Sequence, residues 1–560
     1  MKTIKLIFCC WIFQYSAIAQ NPELVIDIAA SNASSSPADF VLLDNKLFFS
    51  ASSWNGSTED RELYYSDGTA TGTHLFMDIL PAASSAPQKL IVYDNYLYFI
   101  IADSSNGNLV YRPWVSDGTT WGTFPLLPNY VTSKGYTIEF DELDSPDQIF
   151  IYYKGFVYFC AYKDNALNDK AIFKSDGSPA GTLIAADLPN ASGTPNLIDG
   201  PIEYNDTLYF SGTSNGDPQS SLYRFTGTVP SISLVKPGVA LKPKLGSVVY
   251  DNKLFFCGES SNGPELWISD GTDIGTFEYA DLRTDSGLGS APGSFSRVGD
   301  LVVFVANTTG NILDLYAIDS TTATLFPSLV ATISYQPVNY KSDFFARYNG
   351  KLYFCGHDFI NGNELWSTNG RVTGTNLVAD IFPGQTDANP KKFIRYCSQL
   401  YFSATNPFNN NANALYTTDG TSSGTTIIAG TVTNPNGSRQ VGDKVVYKGE
   451  LFFAGKYEVS TGIELYKYNA GCFSNLNPVS TQHLFSVFPN PATEYIALKS
   501  DEVLSYKVSL LNLQGQVLKT AYLVEGTDLL IGLTSLETGC YLLKLENEDW
   551  VKTMRFVKTD

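Results

Sequence analysis

The side chains suited to chemistry fall into three sets. The single asymmetric cluster of carboxylates is Glu139-Phe140-Asp141-Glu142-Leu143-Asp144, with Asp147 close behind. A carboxylate pair at such spacing can serve glycoside hydrolysis as acid and base, or hold a hard cation. An ordinary solvated acidic loop has the same composition, and that is the reading adopted. The second set is repetitive, comprising Glu62, Glu265, Glu364 and Glu464 together with Asp67, Asp117, Asp176, Asp270 and Asp419. The aspartates are calcium candidates by type, but they lack the dense carboxylate spacing of a calcium loop. A residue that returns at one position in repeat after repeat is scaffold, so both series, and Trp114, Trp267 and Trp366, are assigned to structure. The third set is sparse. His74, His357 and His483 have no partner at metal-ligand spacing, and the sequence holds no Gly-rich phosphate loop, nucleophile elbow or paired-cysteine metal motif. No catalytic residue, cofactor or metal ligand is assigned.

Cysteine adds little chemistry. Cys160, Cys257 and Cys355 follow the same aromatic segment in nonadjacent repeats, which places them too far apart to bridge, as buried free thiols. Cys397, Cys472 and Cys540 have no partner that spacing can assign.

The elements that carry these residues are repeats. An aromatic strand recurs at Leu47-Phe48-Phe49, Leu97-Tyr98-Phe99, Val157-Tyr158-Phe159, Leu208-Tyr209-Phe210, Leu254-Phe255-Phe256, Val302-Val303-Phe304, Leu352-Tyr353-Phe354, Leu400-Tyr401-Phe402 and Leu451-Phe452-Phe453. A motif strand follows each, clearest at Glu265-Leu266-Trp267-Ile268-Ser269-Asp270-Gly271-Thr272. A Gly-Thr pair, as at Gly72-Thr73, opens the next strand, and a loop rich in Pro, Ser and Gly leads to another, such as Phe40-Val41-Leu42-Leu43. Four short strands per roughly 50 residues, closed by turn residues, predict a β-propeller blade, and nine copies predict nine blades. Nine exceeds the usual number, so one of the copies at Leu222 or Leu315, which lack the Asp-Gly turn, is expected to be irregular. The last copy stops at Gly471 without its final strand, while Leu24-Val25-Ile26-Asp27-Ile28 supplies that strand at the other end of the chain. Closure of the ring by the N-terminal strand removes two exposed sheet edges.

These residues resemble the Glu-Leu-Trp-x-x-Asp-Gly-Thr repeat proteins of secreted bacterial chains, over about residues 24–470. The resemblance implies little about ligand. After a polar linker at 472–484 the pattern changes. Val487-Phe488-Pro489-Asn490-Pro491, the turn at Gly515-Gln516, Gly539-Cys540-Tyr541 and a basic last strand predict a small β-sandwich over 485–560. This segment resembles the type A C-terminal sorting domain of the type IX secretion system of Bacteroidetes, with Pro489, Asn490, Pro491, Gly515, Gly539 and Tyr541 as the matching positions. The resemblance implies export in two steps, engagement of the type IX machinery, and cargo that is released or anchored to surface polysaccharide.

The N-terminus agrees with export. Residues 1–19 carry Lys2 and Lys5, an apolar run and Ala17-Ile18-Ala19, the pattern of a signal peptide. Phe8 before Cys9 argues against lipidation, and the mature chain, with the repeat domain at 20–471, is expected to have no transmembrane segment. A net charge of −19 disfavours nucleic acid as a partner.

The expected architecture is thus all-β, a large propeller followed by a small sandwich. The expected function is binding or adhesion at the cell surface or in the medium, toward a polysaccharide, glycan or protein. The alternative is an extracellular carbohydrate-active enzyme on the same scaffold, which requires an asymmetric pocket of convergent carboxylates. Turns within the repeats are uniform and short, whereas the loops on the opposite face vary. Trp54, Asp141 and Phe408 are therefore the candidate ligand-face residues.

Overall fold

The computed structural model describes residues 21–471 and 485–559 apart from short connections, of which 128–148 and 429–440 are the longest. Its described elements are strands and two short 3-10 turns. Nine consecutive antiparallel sheets of four strands, one of them with a split inner strand, make up the repeat region. Blade 1 sets the pattern with an inner strand Ala38–Leu43, an aromatic strand Lys46–Trp54, a motif strand Glu59–Ser66 and an outer strand His74–Met77. Inner strands of successive blades approach one another, as Ala38–Leu43 does with Gln88–Tyr93 on one side and Lys444–Tyr447 on the other.

The aromatic strand is apolar at consecutive positions because both faces of its sheet are covered. Leu47, Phe48 and Phe49 are all fully buried, as expected of a strand sandwiched between two other sheets. Phe48 faces blade 2 with Leu43 and Leu63, against Leu90, Leu97 and Phe99. Phe49 faces the other way with Leu47 and Tyr64, against Val25, Tyr447, Phe452 and Leu465 of blade 9. Seven further cores of the same plan join the blades in between. The chain of cores returns to its start, so the sheets form a closed ring.

The ring closes as the sequence implies. Glu23–Ile26 pairs antiparallel with the motif strand Glu464–Tyr468, bringing Leu24 opposite Tyr466 and completing blade 9 as its outer strand. The strand ends at Ile26, and Ile28 is held differently, through a side chain described below.

The irregular blade is not one of the two expected. The copies around Leu222 and Leu315 are regular four-stranded sheets although they lack the Asp-Gly turn. Blade 5 departs from the pattern: Ala240–Leu241 and Ser247–Tyr250 both pair with the aromatic strand Lys253–Ser260, separated by the 3-10 turn Pro243–Leu245. Pro243 lacks an N–H for the ladder, which accounts for the break at that point.

A tyrosine at the end of the inner strand ties six of the joints. The hydroxyls of Tyr153, Tyr204, Tyr250, Tyr348, Tyr396 and Tyr447 donate to the backbone carbonyls of Asp206, Asn252, Asp300, Ser398, Gly449 and Asn45, each the second residue of the next blade's inner turn.

The C-terminal segment is a sandwich of a three-stranded and a four-stranded sheet. Ile496, Leu498 and Ile531 of the first sheet share a core with Val508, Leu510, Leu543, Leu545 and Phe556 of the second. Gly539 opens the strand Gly539–Glu546, and Tyr541 stacks on Phe556 across the sheet with ring centres 5.7 Å apart. Pro489, Asn490, Pro491 and Gly515 lie outside the described residues.

Candidate functional site

The recurrent aspartates are consumed by the turns they begin. Asp67 Oδ1 accepts the N–H of Thr69 at 2.9 Å and its hydroxyl at 2.7 Å, and Thr69 Oγ1 accepts the N–H of Gly72 at 3.0 Å. The Thr73 hydroxyl reaches back to the Thr69 carbonyl and also bonds Ser66. The same network recurs at Asp117, Asp176, Asp270 and Asp419. Hydrogen bonds from Thr69 hold the Asp67 carboxyl below the usual range, and the same cause acts on Asp270 and Asp419. The second glycine of the motif is explained by this geometry, since a Cβ on Gly72 would lie 2.0 Å from Asp67 Oδ1. Among the described residues, no group of three or more His, Cys, Asp or Glu side chains is placed to hold a metal ion.

The recurrent glutamates hold the loops that lead to the next blade. Glu62 accepts the N–H of Ser85 at 2.8 Å, the N–H of Ile79 at 3.0 Å and the Ser85 hydroxyl at 2.5 Å. Glu265 binds Ser290 and Leu282 in the same way, and Glu364 accepts the N–H groups of Ile381, Phe382 and Ala388. Glu464 performs this role across the ring closure, on Ile28 and Ser35. Burial pushes all four carboxyls up against these hydrogen bonds, Glu364 to about 8. Such groups resemble catalytic carboxyls in their titration, but each oxygen is already spent on backbone. Arg112, Ala171, Ser221 and Ala414 stand at the equivalent position in blades 2, 3, 4 and 8, so those blades lack the glutamate, and in blade 4 the Ser221 hydroxyl accepts the N–H of Gly238 at 3.1 Å instead.

A file of charges crosses the seam between the last and first blades. Asp39, Lys89 and Lys392 each sit second in an inner strand with φ of 55° to 57°, beside a break in register. Lys392 Nζ pairs with Asp443 Oδ1 at 2.9 Å, the N–H of Asp39 donates to Asp443 Oδ2 at 3.3 Å, and the N–H of Lys89 donates to Asp39 Oδ1 at 3.0 Å. Lys444 donates to the carbonyls of Lys392 and Gly442 and to the Ser403 hydroxyl, and burial lowers its ammonium to about 7. Sequence reasoning missed this file because its members come from four blades and lie far apart in the sequence.

Trp54 ends the aromatic strand of blade 1 on the face of variable loops, opposite Glu59, and is 49% exposed. Phe359 and Ile360, at the corresponding hairpin of blade 7, are 64% and 75% exposed. Asp141, Phe408 and the whole run from Glu139 to Asp147 lie outside the described residues. The opposite face also carries apolar groups that sequence reasoning passed over. Trp121 and Ile274 occupy the same position in the outer turns of blades 2 and 5 and are 97% and 91% exposed. Their signal was the substitution of a large apolar residue into a turn otherwise filled by Thr71, Ala180 and Ser423.

His74 is exposed beside Tyr65, His357 bonds Asn363 through Nδ1 at 3.1 Å, and His483 lies outside the described residues. Cys160, Cys257, Cys355 and Cys540 carry no disulfide, and Cys397 is disulfide-bonded. Burial pushes the Cys355 thiol up to about 12, which makes it a poor nucleophile. No described helix is long and apolar enough to cross a membrane.

No curated protein sequence matches the chain. Among solved structures it is similar to puromycin hydrolase, at 10% identity and a TM-score of 0.35 over 77% of this chain and 61% of that one. It is also similar to the β-propeller domain of the Trilobed protease from Pyrococcus furiosus, at 10% identity and a TM-score of 0.34 over 72% of this chain and 100% of that one. TolB from Acinetobacter baumannii is similar at 9% identity and a TM-score of 0.28, over 59% of this chain and 78% of that one. The chain spans less than two thirds of the length of puromycin hydrolase, and likeness at this level carries no argument about activity. Residues 486–559 match the family described as secretion system C-terminal sorting domain, which supports export by the type IX system and a final location in the medium or at the outer cell surface.

Proposed function

We propose that the chain is a secreted or surface-displayed binding protein of the adhesion type, whose ring presents a polysaccharide, glycan or protein ligand to the variable-loop face. The observation that supports this reading is the division of labour in the blades. Recurrent carboxylates are engaged in turns and loop clamps, so recognition falls to residues that do not recur. Trp54 is the described member of that set, and an exposed indole offers the flat apolar surface on which sugar rings and partner side chains pack. Asp141 and Phe408 are assigned to the same face from the sequence repeat and lie outside the described residues.

Trp121 and Ile274 support a second reading, in which the partner meets the opposite face. A glycan-array screen of the purified protein, followed by titration of Trp54→Ala, Phe408→Ala, Asp141→Ala and a Trp121→Ala/Ile274→Ser double variant, separates the two. Loss of at least tenfold in affinity for the first three, with the double variant unchanged, supports the proposal. The reverse pattern moves the site to the other face. Turnover of a glycan that is abolished by changes in the Glu139–Asp147 run would replace binding with hydrolysis.

A further inference from the structure

Each inner strand is the edge of its sheet, and the inner strands of blades 7, 8, 9, 1 and 2 follow one another side by side. They form the wall of the ring's central channel. Charge along that wall is divided. In blades 1 to 5 the described inner strands hold one basic residue, Lys89, and three acidic ones, Asp39, Asp199 and Glu203. In blades 6 to 9 they hold six basic residues, Arg297, Arg347, Lys391, Lys392, Arg395 and Lys444, and no acidic one. The chain as a whole runs the other way, with 37 basic residues against 56 acidic ones, so composition does not account for a basic stretch across four consecutive blades. None of the six is fully buried, and Lys391 and Lys392 are exposed.

The six fall at two levels of the wall. Lys391, Lys392 and Lys444 stand at the start of their strands, the end fed by the variable blade-to-blade loops, whereas Arg297, Arg347 and Arg395 each precede the last residue, beside the inner turns. Lys392 and Arg395 are three residues apart, about 10 Å along a strand. At the first level the cations crowd one another. Lys444 Nζ donates to the Lys392 carbonyl at 2.9 Å, and its other acceptors, the Gly442 carbonyl and the Ser403 hydroxyl, are neutral as well. Burial lowers the Lys444 ammonium, and Lys392 and Lys391 lower it further against the pull of Asp443, which itself pairs with Lys392. An anion set among the three lysines relieves that penalty, because an opposite charge favours the protonated form. At the second level the Arg297 guanidinium lies over the Tyr250 ring, 5.4 Å from its centre, a contact that orients a planar donor.

Cations gathered on one wall repel each other and weaken the folded ring, so their recurrence points to a ligand with repeated anions. Nucleic acid packs its charges too densely for this wall, at one per roughly 1.7 Å of duplex axis, whereas an acidic polysaccharide carries one per sugar or fewer. Export places the chain where such polysaccharides are met. Arginine adds paired hydrogen bonds to carboxylates and related oxyanions. We propose that the inner wall of blades 6 to 9 binds an acidic polysaccharide, bearing uronate or sulfate groups, that approaches from the variable-loop face. This site rests on the reading of the chain as a glycan-binding protein and names the class of glycan. The surplus of negative charge on the rest of the chain is screened beyond about 8 Å at physiological salt, so the wall acts on contact.

Titration calorimetry of the purified full-length protein tests the site with four probes: oligogalacturonate, its neutral methyl ester, a heparin oligosaccharide and single-stranded DNA of matched charge. At least one of the two acidic glycans should bind about tenfold or more tighter than both the ester and the DNA, and should weaken as salt is raised. Lys391→Gln/Lys392→Gln/Arg395→Gln should lose at least about tenfold in that affinity. Lys46→Gln/Lys236→Gln/Arg371→Gln, which removes the same charge elsewhere, should change it less than twofold. Should the first triple variant melt below the parent, the exposed pair Lys391→Gln/Lys392→Gln decides, with a loss of at least threefold expected. Equal binding of the ester or the DNA, equal losses in the two triple variants, or no binding of either acidic glycan overturns the site. If neutral glycans bind and Trp54→Ala abolishes their binding while neither acidic glycan binds, this site falls and the binding reading survives. If no glycan of any class binds, both fall.

Discussion

Ser35 and Glu464 are 429 positions apart in sequence, yet the N–H of Ser35 donates to Glu464 Oε1 at 2.9 Å and its hydroxyl to Oε2 at 2.5 Å. The equivalent bonds in blade 1 join Glu62 of the motif strand to Ser85 in the loop toward blade 2, 23 positions away. At the seam the same local device joins the two ends of the repeat region, beside the strand pairing of Glu23–Ile26 with Glu464–Tyr468.

Closure should therefore be costly to remove. Glu464→Ala leaves the N–H groups of Ile28 and Ser35 without an acceptor in a buried site and the Ser35 hydroxyl with only the Ile463 carbonyl at 3.3 Å, an expected loss of about 3 kcal/mol. Deleting residues 24–28 should lower the melting temperature far more than deleting five residues of the 472–484 linker downstream of Cys472. Equal melting temperatures for the two deletions would refute ring closure by this strand.

Glu364 should make stability depend on pH in a defined direction. Burial raises its folded pKa to about 8, above an unfolded value of about 4.3. The folded state thus holds the proton more tightly than the unfolded chain. The contribution of this group to stability is fully present below the unfolded pKa and is lost as pH rises through the folded one. Glu364→Gln should flatten the dependence of unfolding free energy on pH between about 4 and 8 relative to the parent. Chemical denaturation at stepped pH measures it, and parallel curves for parent and variant would contradict the assignment.

Gly72 and Asp67 should behave as a coupled pair. Gly72→Ala drives a methyl group into the Asp67 carboxylate, and the expected cost is about 1–3 kcal/mol. Asp67→Ala loses the hydrogen bonds to Thr69 and costs about 1 kcal/mol. Because the first change already expels the carboxylate, the double variant should cost less than the sum, with a coupling of at least 0.5 kcal/mol. Additive losses in a double-mutant cycle would show that the carboxylate and the glycine are independent.

Export should require the sandwich and folding should not. A chain truncated after residue 484 should retain the thermal transition of the propeller, since among the described residues the cores of the ring contain none beyond Ala470. It should accumulate in the periplasm. Cell fractionation with surface proteolysis checks this, and normal delivery of the truncated chain would sink the sorting assignment.

Features encoded by local chemistry were legible in the sequence. The Asp-Gly-Thr turns, the consecutive aromatic residues and the orphan N-terminal strand each announce themselves within about ten residues, and together they specify nine blades and a closed ring. Partners that are backbone atoms were not legible. The recurrence of Glu62 was visible and its structural role could be assigned, but its acceptors' partners are the N–H groups of Ile79 and Ser85, which no residue type marks. The tyrosine ties escaped notice for the same reason, as the Tyr204 hydroxyl ends on the carbonyl of Asn252. The break in blade 5 hinged on Pro243, a residue that resembled ordinary loop punctuation. Of the candidate ligand-face residues, Trp54 ends its strand half-exposed, while Trp121 was hidden by its position in a turn already assigned to scaffold.

The motif strand of blade 9 is flanked on both edges, by Glu450–Gly455 and by Glu23–Ile26. A protein tethered through its C-terminal end and tugged through its ring transmits the force into this strand first. To yield, Glu464–Tyr468 must break two hydrogen-bonded ladders at once instead of unzipping from a free edge. The placement of the closing strand therefore gives the ring mechanical resistance at the end where a surface tether would pull.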